Sequence, residues 1–126
     1  MFPIDVFRDT VCKLVEILHQ HQISFHLTGG ITSIAFGEPR LTQDVDIVID
    51  NARVFENAAE AVADLNKVYA ATARLRDMIK PMMTPREGAL DMQAAIAGGA
   101  TVGVLFGSER AGLDNDDVTL ADTLLN

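Results

Sequence analysis

Two groups of residues in this 126-residue chain have types and spacings suited to chemistry. The first is Gly29-Gly30, then Ser33, then Asp44-Val45-Asp46. Backbone amides at a Gly-Gly turn leading into a helix approach a triphosphate closely. Two carboxylates on alternate positions of a strand point the same way and hold Mg²⁺ beside that phosphate. The second group is Gly103-Val104-Leu105-Phe106-Gly107-Ser108-Glu109-Arg110-Ala111-Gly112-Leu113-Asp114-Asn115, an apolar run that delivers a glycine-bounded loop and then a helix start. A third feature is basic: Arg74, Arg76, Lys80 and Arg86, with one intervening acid, Asp77. It reads as a local phosphate-binding patch or as a solvated loop. Taken alone, both glycine motifs also read as ordinary turns.

Positioning these groups requires alternating helices and strands. Residues Asp5 to Gln20 read as an amphipathic helix, because Phe7, Val11, Leu14 and Leu18 recur at helical spacing while Arg8, Lys13 and Glu16 lie off that stripe. Asp5 is its candidate N-cap. Ser24 to Leu27 reads as a strand, Thr28-Gly29-Gly30 as a tight turn, Ile31 to Phe36 as a helix, and Glu38-Pro39-Arg40 as a loop. Asp44 to Asp50 alternates acid and apolar residues and then turns apolar, a strand with both early carboxylates on one face. Asn51 to Phe55 is a connection or short strand, Asn57 to Leu65 a helix, Lys67 to Ala71 a strand, and Thr72 to Thr84 a long loop. Thr84 as cap and Pro85 at the first helical position start a helix that runs to Ala97 and stops at Gly98-Gly99. Ala100 to Phe106 reads as a buried strand, Gly107 to Leu113 as a loop, and Asp114 to Leu125 as a final helix capped by Asp114 or Asn115. This order predicts an α/β fold: a mostly parallel sheet of about four or five strands with helices on both faces.

Composition narrows the function classes. Apolar residues make up 48% and charged residues 22%, enough to form a core. A net charge of −8 argues against holding nucleic acid by broad phosphate neutralisation, so RNA would have to be met through a local patch. No apolar run approaches the roughly 20 residues that span a bilayer. Met1 to Asp5 offers neither a basic region nor a small-residue cleavage site. Cys12, the single cysteine, forms no internal disulfide and anchors no cysteine-based zinc site. The expected compartment is the cytoplasm. His19, His21 and His26 read as core-edge or solvent-exposed residues rather than ligands.

The stretch from Leu27 to Ile47, with Gly29, Gly30, Ser33, Asp44 and Asp46, resembles the signature of the nucleotidyltransferase superfamily, in particular its small toxin-like members. That likeness covers about residues 6–50 and implies Mg²⁺ and a nucleoside triphosphate. The superfamily usually has a third carboxylate on a later strand, and nothing after Asp50 matches it.

The Gly103–Asn115 run resembles the second signature of the SpoU family of RNA ribose methyltransferases. Val68 to Arg74 looks like the strand and turn that precede it in that family, and Met83-Thr84-Pro85-Arg86-Glu87 like the segment that follows. Asn51 to Phe55 and the next helix also fit, so the likeness runs from about residue 46 to residue 126. It implies S-adenosylmethionine as cofactor, tRNA or rRNA as partner, and transfer of a methyl group to a ribose 2′-oxygen. It also implies a partial form of the SpoU fold, a parallel sheet with a trefoil knot, and a homodimer formed through the knot region. By that resemblance Thr72, Ala73, Gly107, Glu109, Gly112 and Leu113 line the cofactor site. Gly107 and Gly112 would leave backbone bare against an adenosine, Glu109 would orient the loop through its backbone amides, and Leu113 would form an apolar wall. RNA contact falls on Arg74, Arg76, Lys80, Arg86 and Arg110.

The family's first signature, with an Asn and an activating Arg, and its third, a Ser-Leu-Asn run, are not found in these residues. Without them the knot does not close and the ribose hydroxyl is not activated, so the expected chain is inactive alone. The sequence reads as two partial units, residues 1–50 and 51–126, joined near Asp46 to Asn51 by truncation, recombination or design. Three outcomes follow: a partial methyltransferase, a metal-dependent nucleotidyltransferase fragment, or a fragment without activity.

Overall fold

The computed structural model describes residues 4–28, 45–73 and 79–126. The Gly29-Gly30 turn, the helix expected over 31–36, Ser33, Asp44, Arg74 and Arg76 lie outside the described residues. The chain divides into two compact units, Met1–Arg53 and Val54–Asn126.

In the first unit, α1 spans Ile4–Gln20, one residue earlier than expected, so Asp5 sits in the first turn rather than at the cap. Its carboxylate is favourable there against the positive end of the helix dipole. Leu18 is the buried member of the apolar stripe. The helix ends in a tight turn where Ile23 N–H reaches Leu18 O at 2.9 Å and Gln22 adopts φ 55°. Two antiparallel strands follow, β1 (Phe25–Thr28) and β2 (Asp46–Ile49), in register from Phe25↔Ile49 to Thr28↔Asp46. Asp50 clasps the end of this pair: its carboxylate accepts from Ser24 Oγ at 2.8 Å and lies 3.0 Å from His26 Nδ1. The His19 ring tilts against Phe25, with centroids 5.4 Å apart.

The second unit holds α2 (Ala58–Val62), β3 (Lys67–Ala71), β4 (Met82–Met83), α3 (Pro85–Ala97), β5 (Val102–Leu105), α4 (Asn115–Thr119) and β6 (Thr123–Leu125). The four strands form one parallel sheet in the order β4-β6-β3-β5. Its alternating faces are covered by different helices. Val68, Ala70 and Leu124 pack with Leu113, Val118 and Ala121 into the core, and Val62 and Leu65 close that side. On the opposite face lie Tyr69 and α3, whose Asp91 accepts from Tyr69 OH at 2.6 Å. Helices therefore flank both faces of a mostly parallel sheet, as expected from the sequence.

Helix α3 begins with the expected cap. Thr84 Oγ1 accepts from Glu87 N–H at 3.3 Å, and the Glu87 carboxylate accepts from Thr84 N–H at 2.8 Å. The Thr84 N–H and hydroxyl, each donating to the Glu87 carboxylate at 2.8 Å, hold that carboxyl below its usual pKa. A methyl group at Gly88 would run into the Leu125 side chain, so the missing side chain lets α3 sit close to β6.

Two elements differ from the sequence expectation. The final helix stops at Thr119, and Thr123–Leu125 forms β6 instead. Asp122 pins the chain into the sheet: its N–H reaches Val68 O at 2.8 Å and its carboxylate accepts from Val68 N–H at 2.8 Å. Burial of Leu124 between two strands then overrides the helical spacing of Val118, Ala121 and Leu124. The loop expected over 72–84 contains β4, which pairs Met82↔Leu124 and Met83↔Leu125.

Candidate cofactor cleft

Parallel strands end together, and the segments leaving their carboxyl ends meet at one edge of the sheet. At that edge β3 leaves through Thr72, whose N–H reaches Leu125 O at 3.0 Å and extends the ladder by one rung. Its neighbour β5 leaves through Phe106 and Gly107 into the loop. The two exits enclose a cleft of about 220 Å³ lined by Ala71, Thr72, Ala73, Glu109, Arg110, Ala111, Gly112 and Leu113. Five of the six residues expected to line a cofactor site, Thr72, Ala73, Glu109, Gly112 and Leu113, are therefore brought together.

Gly107 is the sixth, and it acts one step back from the cleft wall. A methyl group there would overlap the backbone of Gly112 and Leu113. Its missing side chain lets the two limbs of the loop touch, rather than baring backbone to a ligand. Gly112 has φ 69°, and a side-chain carbon built there meets open space, so this is the position where bare backbone faces outward.

The loop is tied by Ser108 and not by Glu109. Gly112 N–H reaches Ser108 O at 2.8 Å, and Ala111 N–H reaches Ser108 Oγ at 3.2 Å. Ser108 was missed from the sequence. The available signal was a hydroxyl three residues before the amide it bonds, the spacing of a side-chain turn. Glu109 and Arg110 are exposed at the rim, one of each charge. Leu113 turns into the core, 6% exposed, and Asp114 then caps α4 through Asp117 N–H at 2.8 Å. Both ends of the loop are thus anchored.

Of the residues expected to meet RNA, Arg86 and Arg110 are exposed. Lys80 is committed elsewhere: its ammonium donates to Thr119 O at 2.8 Å and to Ala121 O. That places its charge on the carbonyls that end α4, where a cation complements the helix dipole.

A second polar cluster lies at mid-sheet. Asp91 Oδ2 accepts from Lys67 Nζ and from Tyr69 OH, both at 2.6 Å, and the Lys67 ammonium sits 5.4 Å from the Tyr69 ring centroid. The Lys67 and Tyr69 hydrogen bonds hold the Asp91 carboxyl below its ordinary range. The Asp91 bond pushes Lys67 up, and burial followed by the Asp91 bond pushes Tyr69 up. This cluster holds α3 on the sheet and lines no part of the cleft. Among the described residues no group of three His, Cys, Asp or Glu side chains is placed to hold a metal ion, and no helix is long and apolar enough to cross a membrane.

No protein-family model matches the chain. The curated relatives include an uncharacterized tRNA/rRNA methyltransferase of Haemophilus influenzae, 30% identical over 107 residues, covering 79% of this chain and 43% of the relative. They also include the tRNA (cytidine/uridine-2′-O-)-methyltransferase TrmJ of Salmonella typhimurium, 39% identical over 100 residues, covering 72% of this chain and 41% of the relative. Among solved structures, TrmJ from Z. mobilis ZM4 superposes with a TM-score of 0.54 and 50% identity over 59% of this chain and 32% of that one. The homologues are TrmJ- and SpoU-type RNA methyltransferases. The parallel sheet with its flanking helices is accordingly a partial SpoU-type fold. The chain spans less than half the length of these curated relatives. The Haemophilus match covers more of the chain than residues 54–126 contain, so SpoU-type similarity extends into the first unit.

Proposed function

We propose that the cleft between the Ala71–Ala73 strand exit and the 109–113 turn holds S-adenosylmethionine, in the service of methyl transfer to a ribose 2′-oxygen of tRNA or rRNA. The observation that carries this reading is the junction of two backbone turns at the carboxyl edge of the sheet. The lining fits a nucleoside: Ala71, Ala73, Ala111 and Leu113 give apolar walls, and Gly112 leaves backbone bare. At about 220 Å³ the cleft falls below the roughly 300–1,000 Å³ of pockets that enclose a whole drug-sized ligand, so it takes the adenosine part. When bound, the cofactor supplies an electrophilic methyl group on a sulfonium.

The chain's own residues bind and orient. Thr72 stands at the strand exit, Leu113 backs the nucleoside, Ser108 and Gly107 keep the loop shut, and Arg110 at the rim meets RNA phosphate together with Arg86, Arg74 and Arg76. The chain's three histidines all belong to residues 1–53, so none in the second unit serves as a general base. Of the three SpoU signatures, the second is the one read in these residues. Such a protein works in the cytoplasm, beside its RNA.

Isothermal titration of the 126-residue chain with S-adenosylmethionine tests the reading. Binding that disappears in Gly107→Val supports it. No binding by a folded wild-type chain refutes it.

A second reading attaches to the first unit. Thr28, the residue before Gly29-Gly30 in the sequence, pairs directly with Asp46 across the β1–β2 ladder. That supports a Mg²⁺–nucleoside triphosphate site using Gly29, Gly30, Ser33, Asp44 and Asp46. Titration with Mg²⁺–ATP, and its loss in Asp44→Ala, tests it.

A further inference from the structure

One aromatic ring stands in solvent at the carboxyl edge of the sheet. Phe106 is 77% exposed, whereas the other described phenylalanines, Phe7, Phe25 and Phe55, are half-buried and Tyr69 is fully buried. Its place is set by the strand ladder. β3 and β5 pair Tyr69↔Val104 and Ala70↔Leu105, so the next rung brings Phe106 opposite Ala71. Alternation puts it on the sheet face of Val104 and Tyr69. Ala71 lines the cofactor cleft and Phe106 does not. The ring therefore flanks the cleft from outside, where a second molecule would approach it.

Two cations share this edge. Arg110, four residues on, is exposed at the cleft rim. Arg86 lies in the first turn of α3, which leaves from the same edge because β4 runs parallel to β6 and ends at Met83. Each cation has an acid next to it in the sequence, Glu109 and Glu87 respectively. With the chain at −8, phosphate attraction at this edge is weak. RNA held here needs a contact that is not ionic.

We propose that Phe106 is a stacking platform for an unpaired base of the RNA substrate, seating that nucleotide beside the cleft. The proposal rests on the reading of the cleft as the S-adenosylmethionine site, since the reacting ribose must lie next to the methyl donor. Every base has a π face that an exposed aromatic ring can cover, whatever the sequence. A base inside a duplex has both faces covered by its neighbours, so the platform favours unpaired nucleotides. Arg110 and Arg86 take the flanking phosphates, and Phe106 supplies the attraction that their neighbouring acids cancel.

The test uses the whole chain and a short, fluorescein-labelled single-stranded oligouridylate, with inorganic polyphosphate as an anion that carries no base. Phe106→Leu keeps an apolar side chain and removes the ring; it is expected to weaken RNA binding about tenfold, with unchanged circular dichroism and unchanged S-adenosylmethionine affinity. Phe106→Trp keeps the platform and gives the chain its single tryptophan. It is expected to bind RNA at least as tightly as wild type, with its emission quenched by the oligouridylate and not by polyphosphate. With two phosphates held, the log–log salt slope of RNA affinity is expected to be shallow, about −1.4. RNA binding that is equal in wild type and Phe106→Leu overturns the proposal. So does a folded wild type that binds no oligouridylate, or a tryptophan that RNA leaves unquenched. A chain that takes S-adenosylmethionine but gives any of these results overturns the platform alone. A chain that stacks RNA on residue 106 and takes no S-adenosylmethionine supports the platform and overturns the cofactor reading.

Discussion

Replacing Gly107 by alanine tests whether the cleft depends on contact between the two limbs of its loop. The added methyl meets the backbone of Gly112 and Leu113, which cannot rotate away as a side chain would. One limb must therefore move. The Gly112 N–H to Ser108 O bond, 2.8 Å long, spans the gap and is lost first, at about 1 kcal/mol. Leu113 follows, and withdrawing it from the core forfeits part of the roughly 1.5–3 kcal/mol that burying a leucine contributes. Together the loss is about 2–4 kcal/mol. A unit the size of residues 54–126 has roughly 4–11 kcal/mol in all, so the drop is large, at least about 8 °C in Tm. The assay is built in. Tyr69 is the chain's one tyrosine, there is no tryptophan, and Tyr69 is fully buried in the second unit, so its fluorescence reports that unit's unfolding. Gly112→Ala is the control. Its methyl meets open space and costs only the left-handed backbone penalty, about 1–2 kcal/mol. A Gly107→Ala chain that melts with the wild type, or below which Gly112→Ala melts, refutes the reasoning.

Further outcomes follow from the polar contacts. Asp91 has a folded pKa depressed below its ordinary 3.8, so its contribution is complete above that value and is lost as pH falls through the lower folded one. The Tm gap between wild type and Asp91→Asn is expected to narrow below about pH 4, as acid melts would show. Lys67 and Tyr69 are both raised, so their share is full below about pH 10 and lost at higher pH, and Tyr69 should ionise at lower pH in Asp91→Asn than in wild type. Lys80→Met removes the two bonds to the α4 carbonyls and is expected to cost about 1–3 kcal/mol in urea unfolding while leaving RNA affinity unchanged. Arg110→Gln should do the reverse, weakening RNA retention on filters without moving the urea midpoint. Thr84→Ala breaks the reciprocal cap of α3 and is expected to cost about 1 kcal/mol, read from the same urea curves.

Elements with strong local signals were legible in the sequence. Thr84-Pro85 and Gly98-Gly99 bracket α3 because caps and breakers act on their own few residues. Lys67 to Ala71 reads as a strand because a short apolar run between polar turns has little other use. The last helix failed for a tertiary reason. Val118, Ala121 and Leu124 fit a helical stripe, and only Asp122 bonding to Val68, far upstream, turns the chain into a strand. Strand β4 was hidden for the same reason, since two residues carry no period and exist as a strand only beside β6. At the cleft, glycine positions were readable and their division of labour was not. Which glycine avoids a clash and which one bares backbone depends on where the other limb of the loop lies.

Leu113 belongs at once to the wall of the cleft and to the packed interior. Occupancy and folding of the second unit are therefore linked: a molecule seated in the cleft raises the melting point by mass action, about 2.7 kcal/mol when its free concentration is a hundred times its Kd. A thermal-shift screen of nucleosides would read that linkage directly, with no turnover required. By reciprocity, a substitution that loosens Val118 or Ala121 should soften the grip on the ligand from a distance.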